Sequence, residues 1–396
     1  MIKKLKVVHI EDRFHPLMGY QLNFFAKHHS PNIDFHIVTS DSLSIWQGDE
    51  NTINISELDK EFESNYNITI HRLKSRNRDS QKSNLWVKGL YNYVIKLNPD
   101  VIFLHGIESY SSTKILLNLY LSTKKINVFA DTHTLYNQFE KSLKFKLHLV
   151  FIRLIVKKLV VLNNVRVFAT TNENKEILIN NYKIPLQNID YLPIGTDSDQ
   201  FYFSDTARQQ LRQNLNIEPD DFVLLYIGKL NEKKKPHLIL EAIKKIEDKI
   251  TCNLHILFVG PKIEPYFTEQ FPINNLINKD QIKIKFIDSV DNTLLYAYYS
   301  MADFAVFPKE NTLSALDSQA CRLPVIMEEN LTNNSRLEKG GLVYRENDIN
   351  DLGEKIFTLI IDKDLRSKLS LEGQKYILEN YEYKNIIKKL ENLILT

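Results

Sequence analysis

A glycine and a lysine close the apolar run 222–227, and a second lysine follows at the far side of a polar turn: Gly228, Lys229 and Lys234. Open α/β sheets bind ligands at the carboxyl ends of their strands, so Lys229 stands where a fixed positive charge can meet an anion. Lys233 and Lys235 read as a solvated turn before the next helix. In the first half, His133 follows the run 127–130, with Asp131 and Thr134 beside it. An imidazole at a strand end can hydrogen-bond a bound hydroxyl or move a proton. His105 and His15 are further candidates, although a lone histidine is more often structural. Cys252 and Cys321 lie far apart with no Cys/His cluster near them, which supports neither a disulfide framework nor a zinc site. No DxD-like acidic pair falls at a strand end, so no metal is expected.

These residues need a scaffold that brings strand ends together. Short apolar runs at 6–10, 34–39, 68–73, 101–105, 127–130 and 166–169 alternate with segments of helical period, and the pattern restarts at 222–227, 253–259, 283–287, 304–307, 324–327 and 341–344. Such alternation predicts parallel sheets with crossover helices, and 396 residues suit two α/β domains. The boundary is expected near 197–205, where strand signal gives way to polar loop. No segment approaches the roughly 20 apolar residues of a membrane span, and the first residues lack the apolar core of a signal peptide. With only two cysteines, a reducing cytoplasm is the expected location. A net charge of +2 and a pI near 8.2 give no basic footprint for nucleic acid.

One segment differs in character. Between Leu143 and Leu162 the chain is largely apolar yet carries Lys144, Lys146, Arg153, Lys157 and Lys158 and no acidic residue. It reads either as a helix in the interface of the cytoplasmic membrane's inner face, with basic side chains reaching anionic headgroups, or as a buried crossover helix with a solvated basic stripe.

Taken in order, several motifs resemble glycosyltransferase family 4, the "glycosyl transferases group 1". They are Tyr191-Leu192-Pro193-Ile194-Gly195-Thr196-Asp197, then Ile227-Gly228-Lys229-Leu230 with Lys234 and Ala242, then Leu257-Phe258-Val259-Gly260, Asp317-Ser318-Gln319-Ala320-Cys321-Arg322-Leu323-Pro324-Val325 and Gly340-Gly341-Leu342-Val343. The resemblance is strong from Tyr191 to Tyr344 and looser before. It implies the GT-B fold: two Rossmann-like domains facing a cleft, an acceptor domain over 1–198, a nucleotide-sugar donor domain over 199–377, and a final helix over 378–396 packing back on the first.

The same resemblance implies roles residue by residue. Lys229, in place of an arginine, and Lys234 would neutralise the leaving diphosphate, giving them catalytic roles together with His133 at the transferred sugar. Gly19, Gly228, Gly260, Asn311, Thr312, Leu313 and Ser314 would line the donor, and Asp317, in place of a glutamate, would accept a ribose hydroxyl. His15 and His105 would face the acceptor. Lys309 stands where the family has its first acid, with Glu310 next to it as a substitute. Arg322 replaces a glycine, which implies a turn without positive φ. The implied reaction is metal-free retaining transfer from a nucleotide-diphosphate sugar to a glycan or polyprenyl-linked acceptor in bacterial surface polysaccharide synthesis. A sugar-nucleotide epimerase and a degenerate transferase serving as a binding subunit remain alternatives, the latter because of Lys309.

Overall fold

The computed structural model describes residues 4–43, 54–75, 85, 87–122, 124–136, 139, 142–271, 279–309 and 311–395. The chain divides into two units, Met1–Ile194 with Ile386–Thr396, and Gly195–Asn385.

The first unit holds β1 (Leu5–Ile10), β2 (Ile33–Ser40), β3 (Thr69–Leu73), β4 (Val101–Leu104), β5 (Asn127–Thr132), β6 (Arg166–Ala169) and β7 (Ile189–Tyr191). They form one sheet in the order β3-β2-β1-β4-β5-β6-β7, with every neighbouring pair parallel. The second unit holds β8 (Phe222–Ile227), β9 (Leu254–Val259), β10 (Ile282–Ile287), β11 (Phe304–Phe307), β12 (Val325–Glu328) and β13 (Gly341–Tyr344). Their order is β10-β9-β8-β11-β12-β13, again all parallel. A parallel sheet covered on both faces needs strands that are apolar on both sides, and β4, β9 and β11 are buried at every position.

The covering helices bury one stripe each. Over Leu238–Ile246 the buried residues are Ile239, Leu240, Ala242, Ile243 and Ile246, the spacing of one helical face. Tyr110–Leu121 starts where the Ser109 side chain accepts the Ser112 N–H at 3.0 Å, an N-cap that satisfies one otherwise unpaired donor. The segment expected as one helix is a continuous helical rod, Leu143–Phe151, Ile152–Val156 and Lys157–Leu162, whose middle portion is wound as a π-helix.

One expectation about the backbone is overturned. Arg322 has φ 60° despite lacking the freedom of glycine. The helix Ser314–Ala320 ends in a Schellman turn, with Arg322 N–H donating to the Gln319 carbonyl at 3.0 Å and Leu323 N–H to that of Ser318 at 2.9 Å. That geometry demands a left-handed residue whatever its type. The side chain offsets the cost: Nε donates to Gln374 at 2.9 Å, and the guanidinium lies 5.4 Å from the Phe203 ring.

At the ends of β8 and β9 the two chains approach too closely for side chains. Gly228 and Gly260 have φ of 148° and 142°, and a Cβ on Gly260 would collide with the Gly228 carbonyl. Gly260→Ala is therefore expected to lower stability by at least about 2 kcal/mol. Urea unfolding measures this, and an unchanged midpoint contradicts the described packing.

Candidate functional site

In each sheet the strand order reverses beside the unit's first strand, between β1 and β4 and between β8 and β11. Crossovers leave in opposite directions there, so the carboxyl ends at that point are the ligand-binding edge. Gly19, Gly228, Lys229 and Lys234 fall in the loops that leave these edges, whereas His133 follows β5 and Gly260 follows β9, each one strand away.

In the second unit, the turn after β8 begins with Gly228 and the exposed Lys229. Tyr226 Oη donates to the Lys229 carbonyl at 2.9 Å and fixes the turn from beneath. Asn231 Oδ1 accepts the Lys234 N–H at 3.0 Å, and its carbonyl accepts the N–H of Lys235, which is left-handed at φ 44°. This folds the lysine run back so that the Lys234 stem lies over Gly228, its Cδ 3.7 Å from where a Cβ would stand. Lys235 is tied to Glu232 at 3.1 Å. The turn thus brings Gly228, Lys229, Lys234 and Gly260 together, with Lys229 outward.

On the neighbouring strand β11 the chain runs into Lys309, Asn311, Thr312 and Leu313 before the helix Ser314–Ala320. Thr312 Oγ1 accepts the Ser314 N–H at 3.3 Å, and the Arg336 guanidinium donates to the Thr312 carbonyl at 3.2 Å. Asp317, in the first turn, accepts the Thr196 hydroxyl at 2.7 Å. Burial pushes its carboxyl up to about 7, against the lowering effects of the Thr196 hydrogen bond and the Arg336 charge. Thr196 belongs to the segment singled out by its Pro-Ile-Gly-Thr-Asp pattern, but its contact with Asp317 has no sequence signal. Lys309 is no loose surface charge: its ammonium is held by Glu328 and, at 2.8 Å, by Asn347. Glu310 lies outside the described residues.

In the first unit, Gly19 is left-handed at φ 63° and leads into the helix Gln21–His28 after the loop that follows β1. Asp131 at the end of β5 is fully buried. Its Oδ1 accepts the Gly106 N–H at 2.8 Å, and its Oδ2 meets His105 Nδ1 at 2.8 Å and His133 Nε2 at 3.4 Å. Burial alone would raise this carboxyl, but the charges and hydrogen bonds of His105 and His133 hold it well below the usual carboxylate range. His133 is 42% exposed at the side chain. Surrounding protein would lower its pKa, and Asp131 outweighs that, with Glu11 and Glu108 adding to it, raising it to about 9. Glu11, after β1, is pushed up to about 7 by burial, opposed by the charge of His105. Glu108 accepts the hydroxyls of Thr132, at 2.7 Å, and Thr134.

The two histidines expected to face the acceptor lie inside the unit. His105 and His15 are buried, at 7% and 2% exposure. His105 is committed to Asp131 and His9, and His15 Nδ1 accepts the Leu17 N–H at 3.1 Å. Sequence reading missed the carboxylates Glu11, Glu108 and Asp131 as a group. The available signal was their common position, each at or just after a strand end.

The rod 143–162 has a second apolar surface besides the one it buries. Ile152, Val156, Leu159 and Val160 are buried, whereas Leu143, Leu147, Val150, Leu154, Ile155, Val161 and Leu162 are exposed, Leu143 by 72% and Leu154 by 65%. Lys144, Lys146 and Lys158 are exposed with them. Among the described residues, no helix is long and apolar enough to cross a membrane.

Comparison with known proteins bears on this arrangement. Residues 207–376 match the family "Glycosyl transferases group 1". The chain is 28% identical over 169 residues to "D-inositol 3-phosphate glycosyltransferase 2" of Catenulispora acidiphila, covering 41% of this chain and 39% of that protein; it thus spans about two fifths of that relative. Over 406 aligned residues it is 21% identical to "Capsular polysaccharide biosynthesis glycosyltransferase CapM" of Staphylococcus aureus, covering 100% of this chain and 98% of the relative. A solved glycosyltransferase from Rickettsia africae superposes with a TM-score of 0.72 at 16% identity, covering 99% of this chain and 98% of the other. The likeness shows the fold, GT-B.

The Asp317 environment generates a pH prediction. A carboxyl raised in the folded state destabilises the fold as pH climbs from its unfolded pKa near 4 to about 7. Asp317→Asn is therefore expected to gain about 1–2 kcal/mol over the native chain at pH 8, shrinking towards zero near pH 4. A gain independent of pH, seen in urea midpoints at both values, contradicts the assignment.

Proposed function

The second unit belongs to the glycosyl transferases group 1 and the chain has the GT-B fold, and from that premise we propose that the protein is a retaining glycosyltransferase drawing on a nucleotide-diphosphate sugar. The observation that carries this reading is the turn after β8 at the sheet's switch point, where the Lys234 stem lies over Gly228, Lys229 follows it outward, and Gly260 packs against the Gly228 backbone. As the glycosidic bond breaks, negative charge grows on the leaving diphosphate, and fixed cations placed there stabilise the transition state more than the ground state. Gly228 and Gly260 let the diphosphate approach the backbone. Lys229, Lys234 and His133 are the catalytic residues in this reading, and Asn311, Thr312, Leu313 and Ser314 offer polar groups to the donor at the start of their helix. Asp317, ionised above pH 7, accepts a ribose hydroxyl. No metal is required, since the two lysines supply the charge.

The acceptor is a glycan or a polyprenyl-linked sugar in surface polysaccharide synthesis. Full-length similarity to a capsular polysaccharide glycosyltransferase supports this, as does the rod 143–162. Its exposed leucines and lysines, with no acidic residue in the stretch, suit an anionic lipid surface, the place where a lipid-linked acceptor is found. The protein in this reading is cytoplasmic and peripheral to the membrane's inner face.

Transfer assayed with a panel of nucleotide-diphosphate sugars tests the proposal. Lys229→Ala and Lys234→Ala are each expected to lower kcat/KM by roughly ten- to a hundredfold, the cost of one lost charged contact. The product keeps the donor's anomeric configuration by NMR, and EDTA leaves activity intact. An inverted product, or activity indifferent to both lysines, overturns the reading. Epimerised donor without glycan product assigns the chain to the epimerases instead. Separately, the double change Leu147→Glu and Leu154→Glu is expected to abolish sedimentation with phosphatidylglycerol vesicles while leaving soluble-acceptor transfer unchanged. Undiminished vesicle binding contradicts the membrane contact.

A further inference from the structure

Asp131, His105 and His9 are buried ionisable groups that the proposed chemistry leaves unused, and they form one hydrogen-bonded line. His9 Nδ1 lies 3.1 Å from His105 Nε2, and His105 Nδ1 lies 2.8 Å from Asp131. His9 is held between aromatic rings, stacked on Phe35 at 4.3 Å and Phe103 at 5.3 Å. Burial keeps it neutral, and the neighbouring His105 charge acts in the same direction.

Proton bookkeeping along this line leaves little freedom. An ionised carboxylate only accepts, so both nitrogens that meet Asp131 Oδ2 must carry protons: Nδ1 of His105 and Nε2 of His133. Either His9 donates to a neutral His105, or a doubly protonated His105 donates to both neighbours. In both cases the His105 Nδ1–H points at Asp131. His133 is then turned so that Nδ1 is its nitrogen directed away from the carboxylate. We propose that His105 is a positioning residue for the reaction: braced by His9, it clamps the Asp131 carboxylate that fixes the ring orientation of His133. The proposal rests on the reading of His133 as the histidine that meets the sugar. The charged groups around His133 are Asp131 at the end of the preceding strand β5, Glu11 after β1, and His105 and Glu108 after β4.

Three substitutions separate positioning from simple packing. His105→Asn keeps an amide N–H near the Nδ1 position, His105→Gln moves it towards Nε2, and His105→Leu removes it. The Leu and Gln variants are expected to lose roughly ten- to a hundredfold in kcat, with donor KM little changed, as for loss of one hydrogen bond to a charged group. The Asn variant recovers most of that loss. In labelled-imidazole NMR without substrate, the His133 titration moves upward in the Leu and Gln variants, because Asp131 shares its charge with one donor fewer, and stays near its native value in the Asn variant. A folded Leu or Gln variant with native His133 titration overturns the proposal, whatever its melting temperature. Should these variants fail to fold, the native chain still decides: nitrogen shifts must show protons on His105 Nδ1 and His133 Nε2, and either one bare overturns the clamp. The NMR arm needs no substrate, so a failure to find transfer with any donor counts against the proposed function and leaves this result standing.

Discussion

Both sheets are parallel, and in both the order reverses beside the first strand of the unit. Right-handed crossovers must then depart to opposite faces at that point, leaving the carboxyl ends of β1 and β4, and of β8 and β11, without a covering connection. Glu11, Gly19, Glu108, Gly228, Lys229 and Lys234 lie in the loops that leave these edges, while Asp131 and His133 stand at the end of β5 and Gly260 at the end of β9, each one strand further out. The glycines at the ends of β8 and β9 follow from the same constraint, because two parallel strands ending side by side can expose backbone to a ligand only where no Cβ intervenes.

The two edges differ in electrostatic character. That of the second unit carries Lys229 and Lys234 in the β8 turn and one carboxyl after β11, Asp317, whose burial holds it half-protonated near neutral pH. That of the first unit gathers Glu11, Glu108 and Asp131 around His105 and His133. Here a fully buried carboxylate stays ionised because two histidines donate to it, and its charge in turn keeps His133 protonated up to about pH 9. Lysines suit a diphosphate, while carboxylates and imidazoles suit hydroxyl groups, which both accept and donate.

Much of this was legible in the sequence. Runs such as 222–227 and 304–307 reappear as strands with the same limits, because strands buried on both faces are continuous apolar stretches. The glycine-lysine turn was visible for the same reason, standing directly behind such a run. What periodicity cannot carry is contact between distant segments. Nothing in the spacing joins His9 to His105, Thr196 to Asp317, or Lys309 to Glu328. Arg322 misled for a local reason: its residue type argues against positive φ, but the Schellman hydrogen bonds of the preceding helix set the backbone and the side chain adapts. The burial of His105 and His15 was not legible either, because a strand-end position does not distinguish a side chain facing solvent from one turned into the core.

The central claim is that the second unit binds a nucleoside diphosphate at the β8 turn, and a thermal-shift panel of nucleoside diphosphates and their sugar conjugates tests it most directly. A ligand that binds only the folded state at about a hundred times its Kd adds about 2.7 kcal/mol of stability, an increase of several degrees in Tm. Such a rise is expected with at least one nucleoside diphosphate, and is lost in Lys229→Ala. No shift with any nucleotide at millimolar concentration, or an equal shift in that variant, would contradict it.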